Sequence, residues 1–224
     1  MKLIFPDSLA DTLNAVNDVF FYGTKIGRPP LEDAAMWIAS RHGLKGSYRG
    51  MFAPTKVDFD EGAHVFTGEI ITTGAATAHI LSEECMHMLN LIKSSNPQVQ
   101  NAYHKADELL AGFIKRSDTS GWYCCAKCST ALWRNVASGG LGGSKKLLKD
   151  GLHVLKSRRD ERGRWQGFPY YYTLLTLSEI DLPQAREELK YTLPLCEKLA
   201  KRIPGDDKFD ERRYKLLKRV IEKS

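Results

Sequence analysis

No run in the chain approaches the roughly 20 consecutive apolar residues of a membrane-spanning helix. The apolar start Met1-Lys2-Leu3-Ile4-Phe5 meets Pro6 and Asp7 too soon to read as a secretory leader. Evenly spaced, even-numbered cysteines are also missing: there are five, and three crowd into Cys124, Cys125 and Cys128. That pattern does not suit a secreted disulfide scaffold; it suits a reducing compartment, and a cytoplasmic location is expected. Charge of one sign is scarce too. Lys and Arg number 33 against 27 Asp and Glu, for a net charge of +6 and a pI near 9.0. Because the two signs are interspersed, most of these residues read as solvated helix faces, and nucleic acid is not an expected partner. What is present is ordinary globular composition, with 42% hydrophobic and 27% charged residues, which excludes disorder. At 224 residues the chain can bury a core without staples, and residues 1–224 read as one domain.

Strand-type alternation is rare, whereas helical spacing recurs throughout, so the expected fold class is all-α. Asp7 or Ser8 can cap a helix that places Leu9, Leu13, Val16 and Phe20 on one face. Gly23, Gly27, Pro29 and Pro30 interrupt it, and a second helix restarts near Leu31. Residues 43–72 are rich in Gly and aromatics and read as a long irregular loop. Further helices are expected from about Thr73 to Lys93, Pro97 to Arg116, and over 125–138, 144–158, 169–180, 183–203 and 207–222. That makes about nine, with short connectors that favour antiparallel hairpins.

Three helix ends share a signature. Trp37-Ile38 is followed after seven residues by Gly46-Ser47-Tyr48, and Val154-Leu155 likewise by Gly163-Arg164-Trp165. A shorter copy runs from Phe113-Ile114 to Gly121-Trp122. Gly supplies a helix exit, and the aromatic ring can seal the joint to the next hairpin. These segments resemble degenerate QW repeats of the α/α-toroid superfamily, which includes squalene–hopene cyclases and protein prenyltransferases. The family's Gln position holds His42, Asp118 and Arg159 here. The resemblance implies helical-hairpin repeats in a small or incomplete α/α-toroid-like ring, with inner helices starting near Thr73, Cys125 and Pro169. It further implies an apolar or isoprenoid-like ligand bound in a central cavity, with a reaction on that ligand as its further implication. The rival reading is a non-enzymatic helical-repeat scaffold.

Several clusters can carry chemistry. Cys124, Cys125 and Cys128 stand where an inner helix begins, and Cys125-x-x-Cys128 can direct two thiols at one ion. Zinc is the cofactor this set suggests, with a further ligand from a histidine on another helix. The prenyltransferase-type Asp two residues before the last cysteine is Ala126 here, and buried structural thiols are the plainer reading. His79, Glu83 and His87 recur every four residues on one helix face and are candidates for catalysis or metal binding; an ordinary Glu83–His87 ion pair is the alternative. Trp122, Tyr123, Trp165, Phe168, Tyr170, Tyr171 and Tyr172 are candidates to line the ligand cavity, or to pack one hairpin on the next. Asp58-Phe59-Asp60-Glu61 is similar to the acid motif of class II terpene cyclases but reads here as a turn of solvated acids. The partners the sequence admits are an apolar small molecule and a second copy of the chain.

Overall fold

The computed structural model describes residues 1–117, 121–202 and 205–223, the side chain of Ser117 excepted. Asp118 of the second repeat and the expected helix end at 203 lie outside the described residues. The fold is all-α. Ten α-helices are described: α1 (Leu9–Tyr22), α2 (Arg28–Ser40), α3 (Lys56–Asp60), α4 (Gly74–Ile92), α5 (Pro97–Ser117), α6 (Ala126–Ser138), α7 (Lys145–Lys156), α8 (Tyr170–Glu179), α9 (Pro183–Ala200) and α10 (Lys208–Lys223). A two-residue antiparallel pair, β1 (Ala63–His64) with β2 (Ile70–Ile71), is the described sheet.

Local chemistry explains the boundaries. Ser8 caps α1 by accepting from the Asp11 amide, and Gly23 closes it in the left-handed region at φ 66°. α2 starts at Arg28, three residues before the expected Leu31, because proline in a first turn loses no hydrogen bond the helix needs. The tenth helix, α3, falls inside the expected 43–72 loop, as do β1, β2 and a short 3-10 turn at Tyr48–Gly50. That segment is therefore structured, in pieces too short to leave a periodic signal.

Asp58 corrects the reading of a solvated acidic turn. Its carboxylate is buried and accepts from the Leu9 and Ala10 amides, the Ser8 hydroxyl, and the amide and hydroxyl of Thr55. One side chain thus serves the N-termini of both α1 and α3.

α4 packs against α6 and α6 against α8, and α1 packs against α4. α2 and α5 pack on α4, α7 on α6, and α9 on α8; α10 packs against α8 and α9. The last turns of α1, α4, α6, α8 and α10 border one cleft. At the centre, fully buried Arg134 of α6 donates to both carboxylate oxygens of Glu179 at 2.7 and 2.9 Å, and to Asn17 at 3.1 Å. It also pairs with Glu84, whose other oxygen accepts from the Tyr172 hydroxyl.

The repeat positions have defined tasks. Tyr48 stacks on His79, Trp122 meets Phe168 edge-on, and Trp165 stacks on Tyr170. His42 bridges to Phe52 and Arg159 to Trp165 through the backbone. The Arg159 guanidinium then grips Glu188 of α9 through both carboxylate oxygens, and the Trp165 indole donates to the same carboxylate. Gly121 has φ 77°, and a Cβ there would lie 2.0 Å from the Gly151 nitrogen. Only glycine permits that approach.

Candidate metal centre

Two of the predicted clusters meet. Cys124 has the unusual φ of 35° as the chain turns into α6; Cys125 is the residue before the first helical position, and Cys128 sits in the first turn. Ser129 fixes this entry. Its amide and hydroxyl both bond to the Cys125 carbonyl, and the hydroxyl also engages the amide and carbonyl of Tyr123. α4, packed along α6, delivers His79 to the same place. One ring nitrogen of His79 and the sulfurs of Cys124 and Cys128 all lie within 4.8 Å of one another, close enough to hold a metal ion. Tetrahedral zinc with these ligands needs separations of about 3.5–3.8 Å, so the side chains would draw in by roughly 1 Å.

His79 is enclosed, with Tyr48 parallel to it at 4.1 Å and Tyr123 perpendicular at 4.3 Å. Burial, aided by the positive charge of Arg49, lowers its pKa to about 4. The ring is therefore neutral at pH 7, the form that ligates metals. Arg49 is held near by its guanidinium resting 4.0 Å over the Phe113 ring. Glu83, one turn along α4, is fully buried, and its Oε2 accepts from Asn135 at 2.8 Å. Its Oε1 lies 4.0 Å from His79 Nε2, and both atoms lack a hydrogen-bond partner. Burial pushes the Glu83 carboxyl up to about 8.

Cys125 is exposed and Cys128 buried. The neighbouring Cys128 thiol, ahead of other causes, lowers the Cys125 pKa to about 5; Cys125, reinforced by burial, pushes Cys128 up. Cys125 is thus adjacent to the His79–Cys124–Cys128 group without belonging to it.

His87 parts company with its helix neighbours. Its Nδ1 donates to the Arg134 carbonyl at 3.1 Å, and Nε2 lies 3.9 Å from Glu179. It borders the cleft at the C-terminal ends of α4, α6 and α8, so the expected His79–Glu83–His87 face divides between two sites. Neither Glu83 nor His87 makes the simple pair proposed as the alternative, because α6 supplies Asn135 to one and a main-chain carbonyl to the other.

The aromatic residues expected to line a cavity act mainly as packing. Tyr123, Trp165, Phe168, Tyr170 and Tyr172 are buried in the core and Trp122 is half-buried against it. Trp133 stacks on Phe168, the Tyr170 hydroxyl meets Thr192 at 3.0 Å, and Tyr172 is tied to Glu84. Tyr171 borders a separate surface cleft with Arg213 and Leu217. The basic residues of α7 and the following turn engage acids, as in Lys146–Asp150 and Lys156–Glu187. Among the described residues, no helix is long and apolar enough to cross a membrane.

Tyr48, Arg49, Ser129 and Asn135 belong to the site and escaped sequence reading. Of these, only Tyr48 carried a signal, as the ring of the first Gly-x-aromatic turn. Comparison with protein-family models, with curated proteins and with solved structures finds no match for this chain.

Proposed function

We propose that this chain is a zinc-binding helical protein whose ion is held by His79, Cys124 and Cys128. The observation that carries this reading is the convergence of three donor atoms from α4 and from the entry to α6. Two thiols and a neutral imidazole favour a soft, tetrahedral cation over Mg²⁺ or Ca²⁺. Glu83 supports it further. An ion on Nδ1 of His79 leaves Nε2 facing the Glu83 carboxyl, the carboxylate-behind-imidazole arrangement that orients metal-bearing histidines. Such an ion fastens the 121–125 turn to α4, joining the second repeat to the inner layer. The test is metal analysis of the purified protein, with cobalt substitution to reveal thiolate ligation. One ion per chain is expected, lost in Cys128→Ser and His79→Ala and held about 10–100-fold more weakly in Glu83→Gln. A native protein that takes up no zinc from a stoichiometric supply refutes the reading.

A toroid-like frame with an apolar ligand is the second reading, and a specific cleft favours it. The contacts of α4 with α6 and of α6 with α8, each also touched by helices among α2, α5, α7 and α9, support the inner–outer alternation that the QW-like turns imply. The shared cleft, of about 410 Å³, has walls of Phe20, Phe21, Leu91 and Ala137 and carries Arg219 and Lys223. Buried Asn17 Nδ2 and His87 Nε2, both on bordering residues, lack partners. A prenyl anion suits that combination. Saturable calorimetric binding of farnesyl phosphate, weakened by Arg219→Ala, is the expected result, and no saturable heat removes this reading.

A further inference from the structure

We propose that the cleft bordered by the last turns of α1, α4, α6, α8 and α10 takes an apolar anion that also carries a hydroxyl group, the hydroxyl at the buried end and the anion at the mouth. This ligand class rests on the reading of that cleft as a site for an apolar anion.

Two polar side chains at the buried end set the requirement. Asn17 and His87 both border the cleft and are only 3% and 2% exposed. The Asn17 oxygen accepts from Arg134 at 3.1 Å, which fixes the orientation of the amide and leaves Nδ2 as a donor without an acceptor. His87 Nδ1 lies 3.1 Å from the Arg134 carbonyl. A carbonyl only accepts, so Nδ1 carries the proton and unpartnered Nε2 presents a bare lone pair. Burial keeps the ring neutral. One donor and one acceptor, each without a partner, thus stand on two helices that touch, α1 and α4.

The surroundings do not answer them. Ser138 and Ser178 border the same cleft, but their hydroxyls donate to the carbonyls of Asn135 at 2.8 Å and Leu175 at 2.7 Å. Both Glu179 oxygens accept from Arg134, and Oε2 stands 3.9 Å from His87 Nε2. A carboxylate beside a lone pair repels an anionic head group from this end and calls for a proton donor. An ammonium would serve these acceptors and leave Asn17 unanswered. A hydroxyl both donates and accepts, so one group serves His87 and Asn17 together. A plain hydrocarbon end leaves both unpaired, which is unfavourable for buried polar atoms.

The opposite charge gathers at the mouth. Half-buried Arg219 and exposed Lys223 lie toward the end of α10. The Arg219 guanidinium rests 4.2 Å over the Phe21 ring and donates to the Phe21 carbonyl, which holds it in place. Phe20, Leu91 and Ala137 supply apolar wall for the body of the ligand.

The experiment titrates the full chain by calorimetry with a matched pair, dodecanoate and ω-hydroxydodecanoate, each below its micelle concentration. Wild type is expected to bind the hydroxy acid about 10-fold more tightly. His87→Phe should abolish the preference, whereas Arg219→Ala should weaken both acids and keep it. A measurement on wild type alone makes the outcome independent of how the variants fold. The NMR resonance of His87 Nε2 should move upfield as the hydroxy acid is added and stay in place with dodecanoate. Equal affinities for the two acids, or an Nε2 resonance unmoved by saturating hydroxy acid, overturn the proposal; an ordered water that bridges Asn17 and His87 then serves the pair. Saturable farnesyl phosphate binding beside equal affinities for the two acids fails the hydroxyl and leaves the apolar-anion cleft standing. No saturable binding of farnesyl phosphate or of either acid fails both.

Discussion

Asp58→Asn is the sharpest perturbation the fold offers. The wild-type carboxylate receives five donors, divided between its oxygens. Oδ1 takes the Ser8 hydroxyl at 2.9 Å and the Ala10 amide at 3.1 Å. Oδ2 takes the Leu9 amide at 2.9 Å, the Thr55 amide at 2.8 Å and the Thr55 hydroxyl at 2.9 Å. An asparagine keeps one oxygen. Whichever way its amide turns, at least two donors then face an NH₂ group, and one of them is a main-chain N–H at a helix start. Hydrogen bonds to a charged acceptor contribute about 1.5–3 kcal/mol each, so two lost bonds amount to about 3–6 kcal/mol. Against a typical domain stability of about 5–15 kcal/mol, that is a large fraction. Urea denaturation at pH 7, followed by circular dichroism, should show the midpoint falling with little change in slope. Asp60→Asn, two residues along, is the control. Asp60 is exposed and pairs with exposed Lys56, so its loss should change stability by less than about 1 kcal/mol. Equal midpoints for Asp58→Asn and Asp60→Asn would refute the double-cap account.

Two further perturbations test the packing around α4 and α6. Gly151→Ala places a methyl group 2.3 Å from Trp133 Nε1, whose N–H bonds the Gly121 carbonyl; overpacking there should cost about 1–3 kcal/mol, read from thermal or urea unfolding. His87 is held neutral in the fold, its pKa far below 6.5 through burial and then the positive charge of Arg134, with Glu179 already engaged by that arginine. The unfolded chain therefore binds a proton below pH 6.5 that the folded one refuses. Stability should fall as pH drops through that value, with a slope of up to about 1.4 kcal/mol per pH unit from this group. His87→Asn should flatten the curve between pH 6.5 and 5, and parallel curves for the two proteins would contradict the assignment.

The all-α class and most helix boundaries were legible because they rest on local chemistry: Ser8 and Thr73 as caps, Gly23 as a left-handed stop, Pro183 in a first turn. α3 and the β1–β2 pair were not, since elements of five and two residues carry no periodicity, and Asp58 draws its partners from across the chain. The cysteine cluster was visible as a cluster. That His79 would join it, while Cys125 stands beside the group, depends on how α4 lies along α6. The four-residue spacing of His79, Glu83 and His87 correctly placed them along one helix. It could not show that Asn135 and the Arg134 carbonyl draw the last two toward different neighbours. The rings of Trp165, Tyr170 and Tyr172 fit wall and joint equally well on paper, and the partners of their polar atoms favour the joint.

Arg134 reaches residues of α1, α4 and α8 from its seat on α6. Solenoids tolerate the gain or loss of a unit because each unit touches only its neighbours. Here a single cation binds the first helix, the middle of the chain and the eighth helix to one another. Helices α1, α4 and α8 are consequently not interchangeable units: losing α4 or α8 would take a carboxylate partner from this buried charge, and losing α1 would take Asn17.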